Sequence, residues 1–506
     1  MAKVYRRELS RAAAAAEYDA ESANRPAEGS VFTPTKDYME MRKRFALPEA
    51  LMGGTNRMRA EGVRYMPAYS NEDSTRYQRR LNGAVLFESF RKSVQNLSSR
   101  PFGKAVQVDE DADGFWVDFC KDVDREGTSL TSFCKGMMSD LLVYGKAHLL
   151  VDFPDTEGLS GELGRPLTLA DEKQYGLRPY FSSVSPKSVI GWKSDRIAGV
   201  QTLTELRIAQ TSYDYVDEYD QEEVERVFCW KRDEIKIYRK TVDESTGEVG
   251  ELLESIQPNT LGIIPLVTVY AQKQDYMVSY PPLEGLAHLN QKHWWMQADQ
   301  DNIETVARVP MMFFRGFNSE DLGALEVGPY KIFGNRSPES DIKVVETSGK
   351  AVEVGSMALK RLEAQMERMS LEPLIRKAGA ITATEVAVDE RRNMSHMEAY
   401  TLLLETGIEE AFMIVALWTG SLSVPSINID KDSSHIDLSD RVLEELRLDY
   451  TMGVIDQRTY LEHRKNRGLY SEDMDIDEVM SEAQNEDALG LDGNGIQEEE
   501  KEEEEG

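Results

Sequence analysis

The sequence predicts an α+β fold, in which short β-strands occupy the middle of the chain and long helices follow them. Three patterns predict it. Strand-like segments separated by turns recur between residues 155 and 280. Two long helical segments then enclose a short strand-rich insert, and a third long helical segment follows a break centred on Gly379. Strands that precede helices in blocks are typical of the α+β class.

The β region is preceded by two amphipathic segments. Apolar residues at intervals of three and four predict a helix over residues 77–99 and another from Leu130 to Tyr144. The apolar run from His148 to Phe153 predicts a strand directly after the second helix. The further predicted strands are Pro179–Phe181, Val189–Trp192, Val200–Ile208, Val227–Trp230, Glu234–Tyr238 and Ile263–Ala271.

The long helices are predicted at residues 283–309, 352–377 and 384–419. Pro281 and Pro282 favour a helix start, and Pro310 ends the first helix. Short strands at 311–315, 330–333 and 342–346 form the insert between the first two. Helices of this length with mixed charge suit lateral packing against copies of the same chain. A helical hairpin inside one globular domain fits the same pattern.

The composition supports a core and argues against a protein that grips nucleic acid, although not against one that lets DNA slide past. The chain has 506 residues, 41% of them hydrophobic, and a formal net charge of −31. Gripping DNA requires a basic face that neutralises phosphates. Sixteen Asp or Glu residues lie between residues 471 and 506, where Lys501 is the one basic residue. We expect a soluble, intracellular protein, because the sequence has neither a long apolar run nor a secretory signal.

The sequence gives no support for catalysis or for a cofactor. Gly145-Lys146 is preceded by Asp140 and followed by Ala147, so a phosphate-binding loop lacks its first glycine and its hydroxyl. His288 and His293 lie five positions apart, about 140° around a helix, which excludes a shared metal. Glu385 and Asp389 are interpreted as an exposed helical face. We expect Cys120, Cys134 and Cys229 to pack as reduced thiols.

Several short motifs, taken in order, resemble those of the portal proteins of tailed bacteriophages. The resemblance is to the DUF4055-type subfamily and covers residues 69–420. The motifs are Tyr77-Gln-Arg-Arg-Leu-Asn-Gly-Ala84, Gly127-Thr-Ser-Leu130 with the segment 144–152, Arg178-Pro-Tyr180 with 189–192, Pro281-Pro-Leu-Glu-Gly-Leu-Ala-His-Leu-Asn290 and Thr382-Ala-Thr-Glu385. The segment 453–459 is also similar to a helix–turn of other portals.

The resemblance implies a portal fold and a division of the chain into regions. It has a mixed α/β wing, a stem of two long helices, a β-rich clip, a long wing helix and a helical crown. The regions are an N-terminal arm of open role (1–65), the wing (66–280), stem helix 1 (281–309), the clip (310–350), stem helix 2 (351–377), a tunnel loop (378–383), the long wing helix (384–420), the crown (421–490) and an acidic disordered tail (491–506).

The resemblance also implies a function and partners. Portals form a ring, expected here to be a dodecamer, at one capsid vertex of the virion, after assembly in the host cytoplasm. Double-stranded DNA passes through the ring without sequence-specific contacts. The implied partners are the major capsid protein, the terminase large subunit and the head–tail adaptor. The alternatives are a non-channel structural or adaptor protein and a capsid maturation enzyme.

Two sets of residues are candidates for these contacts. The channel candidates flank or form the tunnel loop: Arg376, Lys377, Thr382, Thr384, Arg391 and Arg392. The basic members could instead form salt bridges between subunits or lie in solvent. The candidates for partner binding at the clip are Phe313, Phe314, Phe317 and Tyr330. At least two of the phenylalanines are expected in the core of the clip sheet.

Overall fold

The computed structural model has the predicted α+β composition, and its contacts divide the chain into two units. The first unit comprises residues 1–429 and the second comprises residues 430–506. The residues described are 29–109, 112–154, 161, 165, 168, 171, 174–242, 249–307, 311–315, 341–345, 350–370, 383–420, 423–429, 447–448, 450–452, 456–466 and 476. Residues 1–28 of the predicted N-terminal arm and the whole predicted acidic tail lie outside this set.

The helices of the first unit follow the predicted order, with additions near the start of the chain. They are α1 (Lys36–Met52), α2 (Gly54–Glu61), α3 (Ser74–Gly83), α4 (Ser89–Ser99), α5 (Gly114–Lys121), α6 (Leu130–Tyr144), α7 (Glu284–Ala307), α8 (Lys350–Met369) and α9 (Ala383–Thr419). Short 3-10 turns occupy Gly62–Arg64 and Arg100–Phe102. The prediction of α6 and of the three long helices is confirmed, although residues 371–382, at the end of the second long helix, lie outside the described residues.

The single helix predicted over residues 77–99 is wrong, because the chain breaks into α3 and α4 there. Ala84 has an extended backbone, with ψ of 135°, and the segment from Ala84 to Glu88 separates the helices. Contacts with α2 stabilise this break. The Leu86 amide donates to Thr55 Oγ1 over 3.1 Å, and the Arg59 guanidinium donates to the Ala84 carbonyl over 2.8 Å. The helical periodicity continued across the break, so the pattern alone did not reveal it.

The strands form several antiparallel sheets. They are β1 (Gln107–Val108), β2 (Lys146–Asp152), β3 (Tyr180–Val184), β4 (Val189–Ile197), β5 (Val200–Tyr215), β6 (Gln221–Lys231), β7 (Glu234–Val242), β8 (Val249–Pro258), β9 (Leu266–Tyr270), β10 (Lys273–Asp275), β11 (Val278–Ser279), β12 (Met311–Arg315), β13 (Asp341–Val345) and β14 (Ile427–Asn428). The larger sheets have the orders β3-β2-β9 and β4-β5-β6-β7-β8, and the pairs β1–β14, β10–β11 and β12–β13 complete the set.

The three-stranded sheet contributes buried side chains to the main core. Its central strand β2 is buried from Lys146 to Val151 and pairs with both neighbours. Helix α6 leads directly into it through Gly145, whose φ of +75° suits glycine. The close approach of another segment also requires glycine here, because a Cβ at this position would lie 2.6 Å from the carbonyl carbon of Tyr280.

The five-stranded sheet is a meander whose strands run longer than predicted. Strand β5 extends beyond Ile208 to Tyr215, and β6 begins at Gln221 rather than Val227. The added residues are largely exposed, so they carry little apolar signal. The same reason explains why β8 was not predicted, since most of its side chains face solvent.

The main core joins the N-terminal helices, the three-stranded sheet and α9. Its fully buried members include Met41, Phe45 and Met58, so the described part of residues 1–65 is built into the core. From α9, Phe412 inserts between the rings of Trp116 and Phe181, with centroids 4.9 and 5.9 Å away. Large aromatic side chains of this kind contribute much of the apolar area that a core buries.

The cysteines pack as expected for small apolar side chains. All three are free thiols, and Cys134 and Cys229 are buried. Burial raises the pKa of Cys120 to about 11 and that of Cys229 to about 11, so both are protonated near neutral pH. Protonated, enclosed thiols are poor nucleophiles.

The second unit contains helix α10 (Gln457–Asn466). Asp456 caps it by accepting a hydrogen bond from the Thr459 amide over 3.3 Å. The rings of Tyr450 and Tyr460 stack with centroids 4.8 Å apart. Most of the predicted crown, residues 421–490, lies outside the described residues.

Replacing Gly145 should destabilise the protein more than replacing another glycine with positive φ. Gly176 has φ of +61° and open space around its Cα, so Gly176→Ala tests backbone strain alone. We expect Gly176→Ala to lower the free energy of unfolding by about 1 kcal/mol and Gly145→Ala by roughly 3 kcal/mol or more, because the added methyl collides with Tyr280. Urea unfolding measures both. Equal losses would contradict the proposed close approach.

Candidate functional site

The framework nearest the predicted clip residues is an antiparallel pair of helices, α7 and α8. The strand pair that carries Phe313 and Phe314 lies between these helices in sequence. Three contacts along the helix pair fix its direction. Gly285 lies against Met369. His293 Nε2 lies 3.1 Å from Glu363 Oε1, and Gln300 Nε2 donates to the Val352 carbonyl over 3.0 Å. The residue numbers rise on α7 as they fall on α8, so the helices run antiparallel.

Two glycines bring the helices close together, one near each end of the pair. A Cβ at Gly285 would lie 2.6 Å from Met369 Cε, and a Cβ at Gly355 would overlap the Gln300 side-chain oxygen. Gln300 is buried and also lies 3.4 Å from Ser356 Oγ. A buried amide needs its hydrogen bonds, so Gln300 fixes the axial position of the two helices as well as their separation.

Polar side chains in α7 fasten the pair to the remainder of the first unit. Asn290 is fully buried, accepts from the Phe90 amide over 2.9 Å and donates to the Phe87 carbonyl over 2.8 Å. These bonds hold the start of α4. The buried His293 ring packs against the ring of Phe87 with centroids 5.0 Å apart, and its Nδ1 has no hydrogen-bond partner among the described residues.

An ion-pair cluster forms a second attachment. Arg80 and Glu72 have side chains only 7% exposed and are joined by hydrogen bonds of 2.8 and 2.7 Å. These bonds hold the pKa of Glu72 below its usual value. Arg80 also lies 3.7 Å from Asp299 of α7 and over the ring of Tyr69, which donates to Asp299. Burial and that hydrogen bond raise the pKa of Tyr69 to about 12.

The segment that leads into α7 is held by groups from the end of α6 and the start of β2. Lys146 is fully buried, and its ammonium donates to the Met277 carbonyl over 2.7 Å. The Met277 amide donates to Tyr270 Oη over 2.9 Å, and Ser279 Oγ donates to the Tyr144 carbonyl over 3.1 Å. Met277 itself has φ of +62°, which is strained for a residue other than glycine.

Lys146 therefore has a structural environment and not that of a phosphate-binding lysine. Its ammonium lies 5.5 Å from the centre of the Trp192 ring, inside the core. Burial lowers the pKa of Lys146 from 10.5 to about 7. His148 lies two positions away on the same strand and is fully buried, with Nδ1 2.9 Å from Thr268 Oγ1. Burial lowers its pKa well below the usual value.

The candidates for partner binding lie on or near the strand pair that follows α7. Strand β12 pairs with β13 so that Phe313 faces Lys343 and Phe314 faces Ile342 in register. This confirms the strands predicted at 311–315 and 342–346. The side chains of Phe313 and Phe314 are not among the described parts, and Phe317 and Tyr330 lie outside the described residues.

The candidates for DNA contact fall at the start of α9 or before it. Thr384, Arg391 and Arg392 lie in the backbone of α9, with side chains outside the described parts. The remaining three, Arg376, Lys377 and Thr382, lie outside the described residues. Both sets of candidates therefore remain sequence-based predictions.

Sequence reasoning missed the residues that fasten the helix pair. Asn290 and His293 were not singled out as anchors, although both interrupt the run of apolar residues around Leu286, Ala287 and Trp294. A polar residue at a buried helical position indicates a specific hydrogen bond, and that was the available signal. His288 is exposed whereas His293 is buried, so the two do not share a site.

The described residues contain neither a metal-binding cluster nor a membrane-spanning helix. No group of three or more His, Cys, Asp or Glu side chains there could hold a metal ion. None of the helices in the described part of the chain is both long enough and apolar enough to cross a membrane.

Comparison with known proteins identifies the helical region as a recognised domain. A family model described as "Domain of unknown function (DUF4055)" matches residues 282–419, which include α7, the β12–β13 pair, α8 and α9. The predicted resemblance to that family is confirmed over these residues. No curated protein matches the chain.

The chain is also weakly similar to chains in solved structures. These structures are described as "Virion of native gene transfer agent (GTA) particle", "Neck of native GTA particle computed with C12 symmetry" and "Neck of empty GTA particle computed with C6 symmetry". In each case the identity is 10%, the TM-score is 0.37, and the match covers 75% of this chain and 89% of that chain. A likeness this weak identifies neither the fold nor the function.

Lys146 should make the stability of the protein depend on pH above neutrality. Because its pKa is lowered from 10.5 to about 7 in the folded state, the unfolded chain binds the extra proton between these values. The free energy of unfolding should therefore rise from pH 7 to 9, by roughly 1.4 kcal/mol per pH unit at most, and Lys146→Met should remove this rise. Urea unfolding of both proteins at pH 7, 8 and 9 measures it.

Asp140 provides the control for this experiment. Burial raises its pKa from 3.8 to about 7, so its effect has the opposite sign, destabilising the protein as pH rises from 4 to 7. Asp140→Asn should change the profile below pH 7 and leave the rise above it. A parallel rise in wild type and Lys146→Met would contradict the assignment.

Proposed function

We propose that this protein is one subunit of the portal ring of a tailed bacteriophage, a structural protein that conducts DNA. The observation that carries the proposal is the closely packed pair α7–α8, joined through a strand pair and followed by the 37-residue helix α9. This order is the one that the portal resemblance implies for stem, clip, stem and long wing helix. The DUF4055 match covers residues 282–419, which contain all of these elements.

The exposed faces of α8 and α9 support lateral association. On α8, Val354 and Met357 are 62% and 63% exposed. On α9, Leu402, Met413 and Leu417 are between 55% and 63% exposed, while the opposite face is buried in the main core. Large apolar side chains in contiguous exposed patches mark association surfaces. We infer that these faces pack against further copies of the chain.

In this proposal the regions take the roles that the resemblance implies. The wing comprises residues 66–280, the stem helices lie at 281–309 and 351–377, and the clip at 310–350. Residues 378–383 form the tunnel loop, 384–420 the long wing helix, and 421–490 the crown. The ring would lie at one capsid vertex, against the major capsid protein. The clip would bind the terminase large subunit during packaging and the head–tail adaptor afterwards.

The charge of the chain suits a channel through which DNA slides. The net charge of −31 opposes the accumulation of phosphates around the protein. Each phosphate neutralised by a basic side chain would retain DNA through counterion release. A small number of basic residues near the tunnel loop could therefore contact the DNA backbone without stopping its movement.

The second candidate is a phage structural or adaptor protein that forms no channel. It also requires long helices with exposed apolar faces, but it does not require a closed ring. A capsid maturation enzyme is a weaker alternative, because it would require a cluster of catalytic side chains. Oligomeric state separates the first two candidates directly.

The purified protein should form closed rings far heavier than the 57.3 kDa chain. Mass photometry gives the copy number, and negative-stain images should show a central hole. Leu417→Glu with Met413→Glu should weaken the rings, because charge in an apolar interface is costly, whereas Leu252→Glu, at an exposed position of β8, should leave them intact. A wild-type protein that remained monomeric would refute the portal assignment.

Replacing Arg376 and Lys377 with alanine should reduce DNA packaging or retention while leaving the rings unchanged. The physical reason is the loss of two contacts with the DNA backbone near the tunnel loop. The matched control is Arg239→Ala with Lys240→Ala, an adjacent basic pair on β7 whose partners are Glu222 and Glu225. Counting DNA-filled heads after complementation measures the effect. A normal yield of filled heads from the Arg376/Lys377 variant would refute the role of these residues.

A further inference from the structure

A cleft of about 570 Å³ lies between residues 29–36 and the face of the five-stranded sheet. Neither the predicted channel nor the clip includes it. Five basic side chains and one carboxylate line it: Lys36, Lys193, Arg207, Lys231, Lys236 and Glu205. A concentration of positive charge is unexpected in a chain with a net charge of −31. The sign of the charge in this cleft is therefore opposite to that of the whole protein.

Arg207 lines this cleft, and its hydrogen bonds are made to neutral backbone carbonyls. Its Nη1 donates to the carbonyls of Val31 and Thr33 over 2.9 and 2.7 Å. Glu205 Oε1 lies 3.8 Å from Arg207 Nε, and the arginine side chain is 14% exposed. A Cβ at Gly191 would lie 2.7 Å from Arg207 Cζ, so glycine is required beside the guanidinium. Carbonyls satisfy hydrogen bonds but leave the positive charge only partly balanced.

The lysines on the sheet face share few carboxylates. Lys193 pairs with Glu205 over 2.7 Å. Lys231 and Lys236 both pair with Glu234, over 3.2 and 2.6 Å. A third carboxylate, Glu251, accepts hydrogen bonds from Ser30 and Val31 of the cleft wall over 2.8 and 3.1 Å. With Lys36 and Arg207, the cationic side chains still outnumber these carboxylates. Ion pairs that are partly open to solvent contribute little stability, so a multivalent anion can compete with the glutamates for the lysines.

We propose that the cleft binds an oxyanion of the phosphate class. The hydroxyl-bearing residues Thr33, Thr35 and Tyr238 also line it, together with the basic groups. Phosphate oxygens accept hydrogen bonds from such donors and pair with lysine and arginine. The phosphate belongs either to a small free molecule or to a nucleic acid backbone.

Occupation of the cleft would also link two parts of the first unit. Residues 29–36 form one wall and strands of the five-stranded sheet form the other. The present links include the Arg207 bonds, the hydrogen bond from the Thr35 amide to the Ile190 carbonyl, 2.9 Å long, and the bonds from Ser30 and Val31 to Glu251 of β8. A bound oxyanion would add charge-assisted bonds across the same gap and stabilise the docked position of residues 29–36.

Isothermal titration of the full-length protein with inorganic pyrophosphate tests the proposal, at an ionic strength near 0.15 M that screens nonspecific attraction to about 8 Å. We expect saturable binding to wild type. Lys231→Gln with Lys236→Gln should weaken it at least about tenfold, since two charge-assisted contacts are lost. Lys240→Gln is the matched control, because Lys240 lies on the same strand as Lys236 but pairs with Glu225 outside the cleft. This variant should bind pyrophosphate with the affinity of wild type.

A single variant and a competition experiment with DNA complete the test. Lys193→Gln, at a side chain 70% exposed, tests the cleft without disturbing sheet packing if the double variant fails to fold. A short DNA duplex that displaces pyrophosphate from wild type but binds the cleft variants weakly would identify the source as a nucleic acid backbone. Pyrophosphate binding without such competition would identify a free phosphate. No saturable binding to wild type, or unchanged binding to the cleft variants, would overturn the proposal.

Discussion

The arrangement of this protein depends on how residues 277–281 are held where α6 passes into β2. Gly145 leaves no side chain there, which allows the Tyr280 backbone to approach closely. Beside it the Lys146 ammonium donates to the Met277 carbonyl, and Ser279 donates to the Tyr144 carbonyl. Helix α7 begins three residues after this segment, at Glu284. The direction in which the helix leaves the core is therefore set by a few polar contacts in a buried place.

Burying the Lys146 ammonium to hold a backbone segment has a free-energy cost. The ammonium loses hydration and here gains the Met277 carbonyl and the face of the Trp192 ring, with no carboxylate as counter-charge in its hydrogen bonds. An apolar side chain of similar length would pack at lower cost but would leave the carbonyl unpaired. The hydrogen bond specifies one position of residues 277–281, and apolar packing alone would permit several.

Buried hydrogen bonds also fix the positions of segments along the helix pair. Asn290, His293 and Gln300 are buried residues of α7 that form hydrogen bonds outside their own helix. Asn290 bonds to the start of α4, whereas His293 and Gln300 both bond to α8. Apolar contacts bring α7 and α8 together, and the bonds of His293 and Gln300 fix their axial position. A subunit that must align with many copies of itself requires such a fixed position, because an error in one subunit would recur in every copy. This requirement agrees with the proposed ring, and the net negative charge agrees with passage of DNA through it.

The sequence by itself determined the fold class, the long helices and the strand pair between them. Their apolar periodicity and the prolines at 281, 282 and 310 are local signals, which do not depend on residues elsewhere in the chain. Only the tertiary structure decided the break at Ala84–Glu88, the burial of Lys146 and the anchoring role of Asn290. Each depends on partners far away in the sequence: Thr55 and Arg59 for the break, Met277 for the lysine, Phe87 and Phe90 for the asparagine. Local patterns carry no information about such pairings, because the contacts exist only once the distant segments have been brought together.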